Sequence, residues 1–462
     1  MAKGGQDLIT YVIMPLGTLA LAEFLDRHGY STLIIHTGIE QMQNRGFKVE
    51  DVFREYSPTI VGIDLHWFVH SYDALRIAEI VKKLSSAQVV LGGFTASYFA
   101  EEILLRFGYV DAVIRGDAEE PLVRFMKLRD RDLREVPNLV YKKGNTIKKS
   151  DGRFIADEVF LGGLDYTRFD LLMNSENYFR FSTQTGDLDP QPWKVWIKRH
   201  AWVPMGRGCS VNCSYCGGGL DAQCLITGRD KPIFYPKEKV VETLKRFMEM
   251  RIDSTYMDFD PFQDRKHHLD LFEMIRREKI DIGSEFLLWS PSNREFITEF
   301  ARTFNPLYSS LVISPESGSE EVRRKNKGFY YDNKLLFGWL DDAKHESVPV
   351  KVFFSSGLSW ETKENFQETI KLGKNVLEKY PVVEMVSNPI VMEPASKRYL
   401  HPEMYGVKLK WKSFMDYYNR FKRLAEGRPE DSRIGYETSW ESEREIIENS
   451  ISFNRMVASA QM

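Results

Sequence analysis

Three of the chain's four cysteines stand within eight residues, in Gly206-Arg-Gly-Cys209-Ser-Val-Asn-Cys213-Ser-Tyr215-Cys216-Gly-Gly-Gly219. The spacing of Cys209, Cys213 and Cys216 is C-x3-C-x2-C. Three thiolates on a short glycine-flanked loop can hold three corners of a four-iron cluster and leave the fourth iron open to another ligand, whereas a closed cluster takes four cysteines. A zinc knuckle or three incidental buried thiols are the plainer alternatives, but zinc motifs bring a second ligand pair at matching spacing. Cys224 lies eight residues beyond Cys216 with no C-x2-C partner. It reads as a small core residue or a spare ligand.

A loop of this kind must be presented by a folded frame, and the flanking sequence supplies one. After the cysteines, Pro236 to Met250 has Pro at its start and apolar residues at 240, 241, 244, 247 and 248, an amphipathic helix. Strand candidates follow at Ser254 to Phe259, Ser284 to Leu288, Ser309 to Ile313, Val350 to Phe354 and Val382 to Met392. That alternation suits a partial (β/α)6 barrel, whose catalytic groups gather at the carboxyl ends of its strands. Those ends carry Met257-Asp258-Phe-Asp260, Ser314-Pro-Glu316-Ser317-Gly318-Ser319, Phe353-Phe-Ser-Ser-Gly357-Leu-Ser-Trp-Glu361 and Val391-Met-Glu393-Pro394. Ser317 or Ser319 can equally serve as N-cap of a helix starting at Glu320-Glu321.

Upstream, to about residue 125, short apolar runs again alternate with helical patterns. Thr32 to His36, Ile60 to Leu65, Gln88 to Leu91 and Ala112 to Ile114 read as parallel strands buried on both faces, which makes them continuous apolar runs. Helices are expected at Leu16 to His28, stopped by Gly29, and at Tyr72 to Leu84, with Ser71 as N-cap. Asp7 to Met14 is the candidate for a first, shortened strand. In such a sheet a ligand sits beyond the carboxyl ends of the strands. The loops there are Asp64-Leu-His66-Trp67-Phe-Val-His70, Gly92-Gly93-Phe-Thr95-Ala-Ser97 and Arg115-Gly116-Asp-Ala-Glu119-Glu120. Gly92, Gly93 and Gly116 would permit close backbone approach, and Thr95 and Ser97 would offer hydroxyls to a polar ligand.

The cysteine spacing, with aromatic Tyr215 before the last cysteine, resembles the radical S-adenosylmethionine (SAM) superfamily. The resemblance implies that Cys209, Cys213 and Cys216 ligate a [4Fe-4S] cluster whose open iron is chelated by SAM, with Tyr215 packing beside it or near the adenine. Asp258 and Asp260 occupy the place of the element that binds the SAM amino group, although the usual Gly-Gly-Glu is absent. Glu316 and Ser317 stand in a phrase similar to the family's E-S-G-S and would face the SAM ribose or carboxylate, with Arg323 or Arg324 meeting the carboxylate. Gly357 and Glu361 stand where the family has a glycine and an acid that help to seat adenine.

The upstream loops resemble the cobalamin-binding domain of the cobalamin-dependent subfamily. LGGFTAS is similar to its glycine-rich loop and RGDAEEPL to the loop that follows. His66, Trp67, Gly92, Gly93, Thr95, Ser97 and Gly116 are thereby candidate cobalamin contacts. The D-x-H-x-x-G motif that supplies an axial histidine in the methionine-synthase type is absent, so His66, Trp67 or His70 would either contact the corrin or wall its lower face.

Composition agrees with a large enzyme: 462 residues, 43% hydrophobic and 13% aromatic. A net charge of -3 with a pI near 6.4 argues against a nucleic-acid partner. No apolar run approaches the roughly 20 residues of a membrane span, and Met1-Ala-Lys-Gly-Gly-Gln-Asp lacks the apolar core of a secretory signal. The expected place is the cytoplasm, where a reduced thiol cluster survives.

The expected α/β architecture is a cobalamin-binding Rossmann-like (flavodoxin-like) parallel-sheet domain over 1–125, then a linker with a hairpin turning at Gly144-Asn145 over 126–200. A radical SAM partial barrel over 201–398 and a helical C-terminal region over 399–462 complete it. The aromatic stripe Trp411, Phe414, Tyr417, Tyr418 and Phe421 reads as core, with substrate contact as the alternative. The resemblance implies a methyltransferase acting on an unactivated carbon, in which one SAM methylates cob(I)alamin and another generates the 5′-deoxyadenosyl radical. Rearrangement, cyclisation, or a non-catalytic cobalamin or Fe-S sensor are the alternatives. A tRNA methylthiotransferase would need three further cysteines. Implied partners are a small-molecule, peptide or lipid substrate and an electron donor such as flavodoxin or ferredoxin.

Overall fold

The computed structural model describes residues 16–128, 132–181, 199–258 and 265–461. Asp260, and the strand expected at Asp7 to Met14, lie outside them. The chain divides into two compact units. The first takes in the residues up to Phe181 together with Asp221–Asp230 and Trp411–Asp431, and the second takes in the remainder.

The first unit is built on a five-stranded sheet in the order β1 (Ile60–Asp64), β2 (Gln88–Gly92), β3 (Ala112–Ile114), β4 (Leu139–Lys143) and β5 (Thr146–Lys149). β1, β2 and β3 are parallel. β2 and β3 are buried as expected, with Val89, Val90, Leu91, Ala112, Val113 and Ile114 all in the core, whereas β1 lies at the sheet edge and is covered only in part, Ile63 being buried and Gly62 exposed. The expected hairpin turns at Gly144, φ +61°, but it joins β3 antiparallel, so the sheet is mixed rather than purely parallel. Thr32 to His36 is not a strand. Ile34 makes a single bridge with Leu172, whose own segment is irregular and gives the ladder nothing to extend along.

The first helix, Leu16–Arg27, ends before Gly29 at φ +84°. Ser71 is the first residue of the helix Ser71–Leu84, not its cap. The cap position falls to His70, and the Ser71 hydroxyl donates back to the Phe68 carbonyl. The aromatic stripe of the helix Phe414–Ala425 is core in this unit: Tyr417 meets Phe68 at 5.3 Å, Tyr418 meets Phe107 at 5.0 Å and Phe414 meets Phe99 at 5.7 Å between ring centroids. Its start is fixed by the Glu102 carboxylate, which accepts from the Phe414 N–H at 2.9 Å.

The second unit holds β6 (His200–Val203), the short antiparallel pair β7 (Gly206–Arg207) and β8 (Ile233–Phe234), then β9 (Ser254–Asp258), β10 (Gly283–Leu288), β11 (Ser310–Glu316), β12 (Val350–Ser356) and β13 (Val382–Pro389). A second small pair is β14 (Val407–Leu409) with β15 (Tyr436–Thr438). The main sheet is six-stranded, ordered β13-β12-β11-β10-β9-β6, and parallel throughout. It is the open sheet of a partial (β/α) barrel. The last helix, Glu443–Gln461, packs on it through Phe453 against Phe354 at 5.1 Å, while Asn454 donates to the Ser387 carbonyl at 2.9 Å. Among the described residues no helix is long and apolar enough to cross a membrane.

The two faces of this sheet differ. Met257, Phe286, Leu288, Leu311, Ile313, Val352 and Phe354 are buried, yet their alternates Tyr256, Glu285, Leu287, Phe353, Ser355 and Val386 are only half-buried and Asp258 is exposed. Period-two alternation therefore seals one face and leaves the other in reach of solvent.

Candidate active site

β7 delivers the chain to Cys209, and two backbone N–H groups point at the next two sulfurs. Gly328 N–H lies 3.3 Å from Cys213 Sγ and Gly218 N–H 3.3 Å from Cys216 Sγ. Burial pushes the Cys216 thiol well up, and the nearby Glu393, Cys213 and Cys209 push the same way while the Gly218 N–H opposes them. Thiolates crowded together are disfavoured until a cation joins them, so this donor set fits an iron–sulfur cluster. Among the described residues no group of three His, Cys, Asp or Glu side chains closes on a single ion. A cluster asks for something else, one thiolate for each of three irons.

The loop is clamped at several points, one of them Asn326, which nothing in the sequence marks out. Ser214 donates its N–H to the Asn326 carbonyl and its hydroxyl to Asn326 Oδ1, both at 2.7 Å, and Asn326 Nδ2 donates to the carbonyls of Val322 and Ser359, both at 2.9 Å. Glu393 accepts from the Gly217 N–H at 2.6 Å. Gly217 must be glycine, since a Cβ there would lie 2.4 Å from the Pro394 carbonyl oxygen. Tyr215 donates to Glu316 Oε1 at 3.0 Å, Lys327 Nζ reaches the same oxygen at 3.4 Å, and Ser355 donates to Oε2 at 2.5 Å. Glu316 thus joins the cysteine loop to β11 and β12, and holds φ +67° to do so.

At the end of β9, Asp258 touches solvent yet is walled by protein. Crowding raises its carboxyl toward about 6, against the Trp289 indole N–H at 3.4 Å, and its solvent contact tempers the rise. Three expected SAM contacts lie elsewhere. Ser317 is fully buried against Thr369, with 3.3 Å between the hydroxyl oxygens. Arg323 is fully buried, its guanidinium bonded to the carbonyls of Pro315, Ser317 and Tyr331 and to Asn333 Oδ1. Gly357 donates its N–H to Glu361 and accepts from Arg398 and Tyr436, both at 2.7 Å, so no backbone group is left for adenine. Ser319 takes the N-cap position of the helix Glu320–Asn326 without a side-chain bond to it.

In the first unit, the carboxyl ends of β1 and β2 bring Asp64, His66, Trp67 and Gly92 together. The His66 carbonyl accepts from the Thr95 N–H at 3.1 Å and the Thr95 hydroxyl at 2.8 Å. Its ring stands 4.9 Å from Trp67 and 5.4 Å from Phe94. Burial, then the neighbouring His70, lowers its imidazole to about 4, so it is neutral near pH 7; burial raises Asp64 to about 6.

The remaining candidates serve the fold itself. A Cβ on Gly93, at φ +96°, would lie 2.5 Å from the His66 nitrogen, so its openness admits the protein's own backbone. Gly116, at φ +72°, makes room in the same way for Thr227. Thr95 and Ser97 are buried; the Ser97 hydroxyl donates to the Gly93 carbonyl at 2.7 Å and accepts from the Gly116 N–H at 3.1 Å. These hydroxyls knit loops together rather than offer donors to a ligand. Cys224 belongs to this unit and is exposed, not core, with its thiol 3.3 Å from the Arg229 carbonyl.

The B12 binding domain family matches residues 7–126 and the radical SAM superfamily matches residues 203–373. The chain belongs to the cobalamin-binding radical SAM proteins. Its cofactors are cobalamin, SAM and a [4Fe-4S] cluster. The chain is 25% identical over 390 residues to an anaerobic magnesium-protoporphyrin IX monomethyl ester cyclase of Rubrivivax gelatinosus, covering 78% of this chain and 62% of the relative. A cyclase of the same name from Cereibacter sphaeroides is 24% identical, with 77% and 54% covered. The chain thus spans under two thirds of either relative's length. In fold it is similar to the radical SAM methyltransferase TsrM of Kitasatospora setae, solved with cobalamin and a [4Fe-4S] cluster, at a TM-score of 0.63, 14% identity, and 86% and 78% of the two chains.

Proposed function

We propose that the protein is a cobalamin-dependent radical SAM methyltransferase acting on an unactivated carbon of a small-molecule, peptide or lipid substrate. The observation that carries its radical chemistry is the loop itself, three adjacent thiols of which two receive backbone N–H groups, braced through Ser214, Tyr215 and Gly217. In this reading Cys209, Cys213 and Cys216 hold the cluster, and Tyr215, Glu316 and Ser355 fix the wall beside it. Asp258, with Asp260, receives the SAM amino group. His66, Trp67 and Gly92 line the corrin, while Gly93, Thr95, Ser97 and Gly116 shape the loops around it. Ser317, Arg323 and Gly357 support the SAM site from behind. When bound, the cluster and SAM supply a carbon-centred radical and cobalamin supplies a methyl carrier. Turnover requires an electron donor, for which a flavodoxin or ferredoxin is suited.

Likeness of fold to a methyltransferase over most of the chain supports methyl transfer. A second reading, cyclisation, is favoured by the names of the two relatives that align over more than three quarters of the chain.

Anaerobic reconstitution with SAM, cobalamin and a reductant, followed by mass spectrometry, separates the readings. A methyltransferase yields 5′-deoxyadenosine and S-adenosylhomocysteine in about equal amounts with methylated product, because two SAM molecules are consumed by different routes. Product formed without S-adenosylhomocysteine would overturn methyl transfer and leave the cyclase.

A further inference from the structure

The carboxyl end of β3 carries a cluster of positive charge that the reading above does not use. Arg115 follows β3 directly, and Arg153 comes from the segment after β5. Both lie against the turn 225–229 within the first unit. Arg115 Nη2 is 3.5 Å from the Leu225 carbonyl, the limit of a hydrogen bond. Arg153 covers Gly228 so closely that a Cβ there would lie 2.3 Å from its Nη1, and Gly228 holds φ +78°.

A third arginine, Arg229, is buried and already engaged. It is ion-paired to Asp117 at 2.5 Å and donates to the Ala156 carbonyl at 3.0 Å. Asp117 also accepts from the Ala156 N–H at 2.8 Å. The nearby Glu101 is paired with Lys149 at 2.6 Å. Asp117 is thus committed to Arg229, and Glu101 is shared between Lys149 and Arg115, whose charge it offsets only in part.

Arg115 is left in deficit. Its Nε is buried with no hydrogen-bond partner. Burial, then the charge of Arg153, lowers its guanidinium pKa against the opposing charge of Glu101. A buried N–H group left without an acceptor is costly. Like charges held side by side add to that cost, and an anion between the two guanidinium groups relieves both. Arginine pairs favour phosphate oxygens, which accept two parallel N–H bonds from each fork. The place is also where open α/β sheets bind ligands, beyond the carboxyl ends of parallel strands.

We propose that Arg115 and Arg153, converging on the turn 225–229, form a binding site for a phosphate ester. Two sources share that chemistry. One is the phosphodiester in the nucleotide tail of cobalamin, an identification that rests on the cobalamin reading above. The other is a separate phosphorylated ligand.

The test compares the wild type with the Arg115→Met/Arg153→Met protein in two arms. In the first, equilibrium binding of cobalamin and of cobinamide, which lacks the nucleotide tail and its phosphate, is read from corrinoid absorbance. A preference for cobalamin that falls about tenfold or more in the double variant, about 1.4 kcal/mol, with cobinamide binding unchanged, assigns the site to the tail, since charge-assisted bonds to the phosphate are then lost. In the second, inorganic phosphate is titrated at constant ionic strength against melting temperature. Stabilisation present in the wild type and lost in the variant, without cobalamin preference, assigns a separate phosphate ligand.

A variant that behaves as wild type in both arms, or that loses both corrinoids alike, overturns the proposal. A wild type that holds neither corrinoid defeats the cobalamin reading instead, and the phosphate arm then decides the site by itself. An unchanged melt without ligand shows that the double variant is folded.

Discussion

Asn326 grips Ser214 twice, its carbonyl accepting the Ser214 N–H and its Oδ1 the Ser214 hydroxyl, each at 2.7 Å. Ser214 lies between Cys213 and Tyr215, so this pair holds the centre of the cysteine loop against the end of the helix Glu320–Asn326, two residues before the Gly328 N–H that points at Cys213 Sγ. Replacing Asn326 by Ala removes an acceptor from Ser214 and two buried donor contacts, a loss of about 2–4 kcal/mol if each is worth about 1 kcal/mol or slightly more. Asn326→Ala is expected to take up less iron on reconstitution and to lose it faster in air. Iron and sulfide per chain equal to the wild type, with the same air stability, would show that the grip is dispensable.

Cys209, Cys213 and Cys216 are expected to be jointly necessary for the cluster, because loss of one thiolate leaves two protein ligands for four irons. Triple Cys→Ala protein should bind no stoichiometric iron or sulfide and make no 5′-deoxyadenosine. Cys224→Ala should bind both in full, as Cys224 belongs to the other unit and bonds there to the Arg229 carbonyl. A full iron complement in the triple variant is the outcome that defeats the assignment.

The parts of this fold that could be read from the sequence are those in which composition alone decides the burial. Val89 to Leu91 and Ala112 to Ile114 have no polar side chain to offer solvent, and both become central strands. The direction of single side chains at strand ends could not be read in this way. The pairing of β11 with β12 shifts between Ile313 and Glu316, and Glu316 turns to φ +67°. A bulge changes which face each later strand residue takes, and past this one Ser317 is buried while Glu316 faces Tyr215. Asn326 escaped notice for a related reason, since in Glu-Glu-Val-Arg-Arg-Lys-Asn it reads as one more polar residue on a solvated helix. Only tertiary packing reveals that it is buried.

Gly92 and Gly93 answer different questions about ligand approach. A side chain at Gly93 collides with the His66 backbone, so Gly93→Leu should unfold or loosen the first unit before any cofactor is considered. A Cβ at Gly92 meets nothing within 4 Å. Gly92→Leu is therefore expected to keep the wild-type melting temperature and yet weaken cobalamin binding by tenfold or more, about 1.4 kcal/mol. Cobalamin titration by absorbance checks this, and undiminished affinity would place the corrin away from the end of β2.

Glu361 predicts a pH dependence of stability with a definite sign. It is fully buried, and burial, reinforced by the nearby Glu441, raises its carboxyl to about 8, against the N–H groups of Gly357 and Leu358 and the charge of Arg398. The unfolded chain ionises this group near 4.3. Below that pH both states carry the proton and the shift has no effect. Between about 4.5 and 8 the folded protein keeps a proton that the unfolded chain has released, so this group makes stability fall as pH rises, by an amount on the order of a few kcal/mol across the window. Above about 8 the loss is complete. Glu361→Gln keeps the size and the acceptor toward Gly357 but cannot ionise. Its urea unfolding free energy should match the wild type near pH 5, exceed it at pH 8, and show a flatter profile between. Parallel profiles for the two proteins would mean that Glu361 ionises at an ordinary carboxylate pH in the folded state, and that burial at this position is not dry.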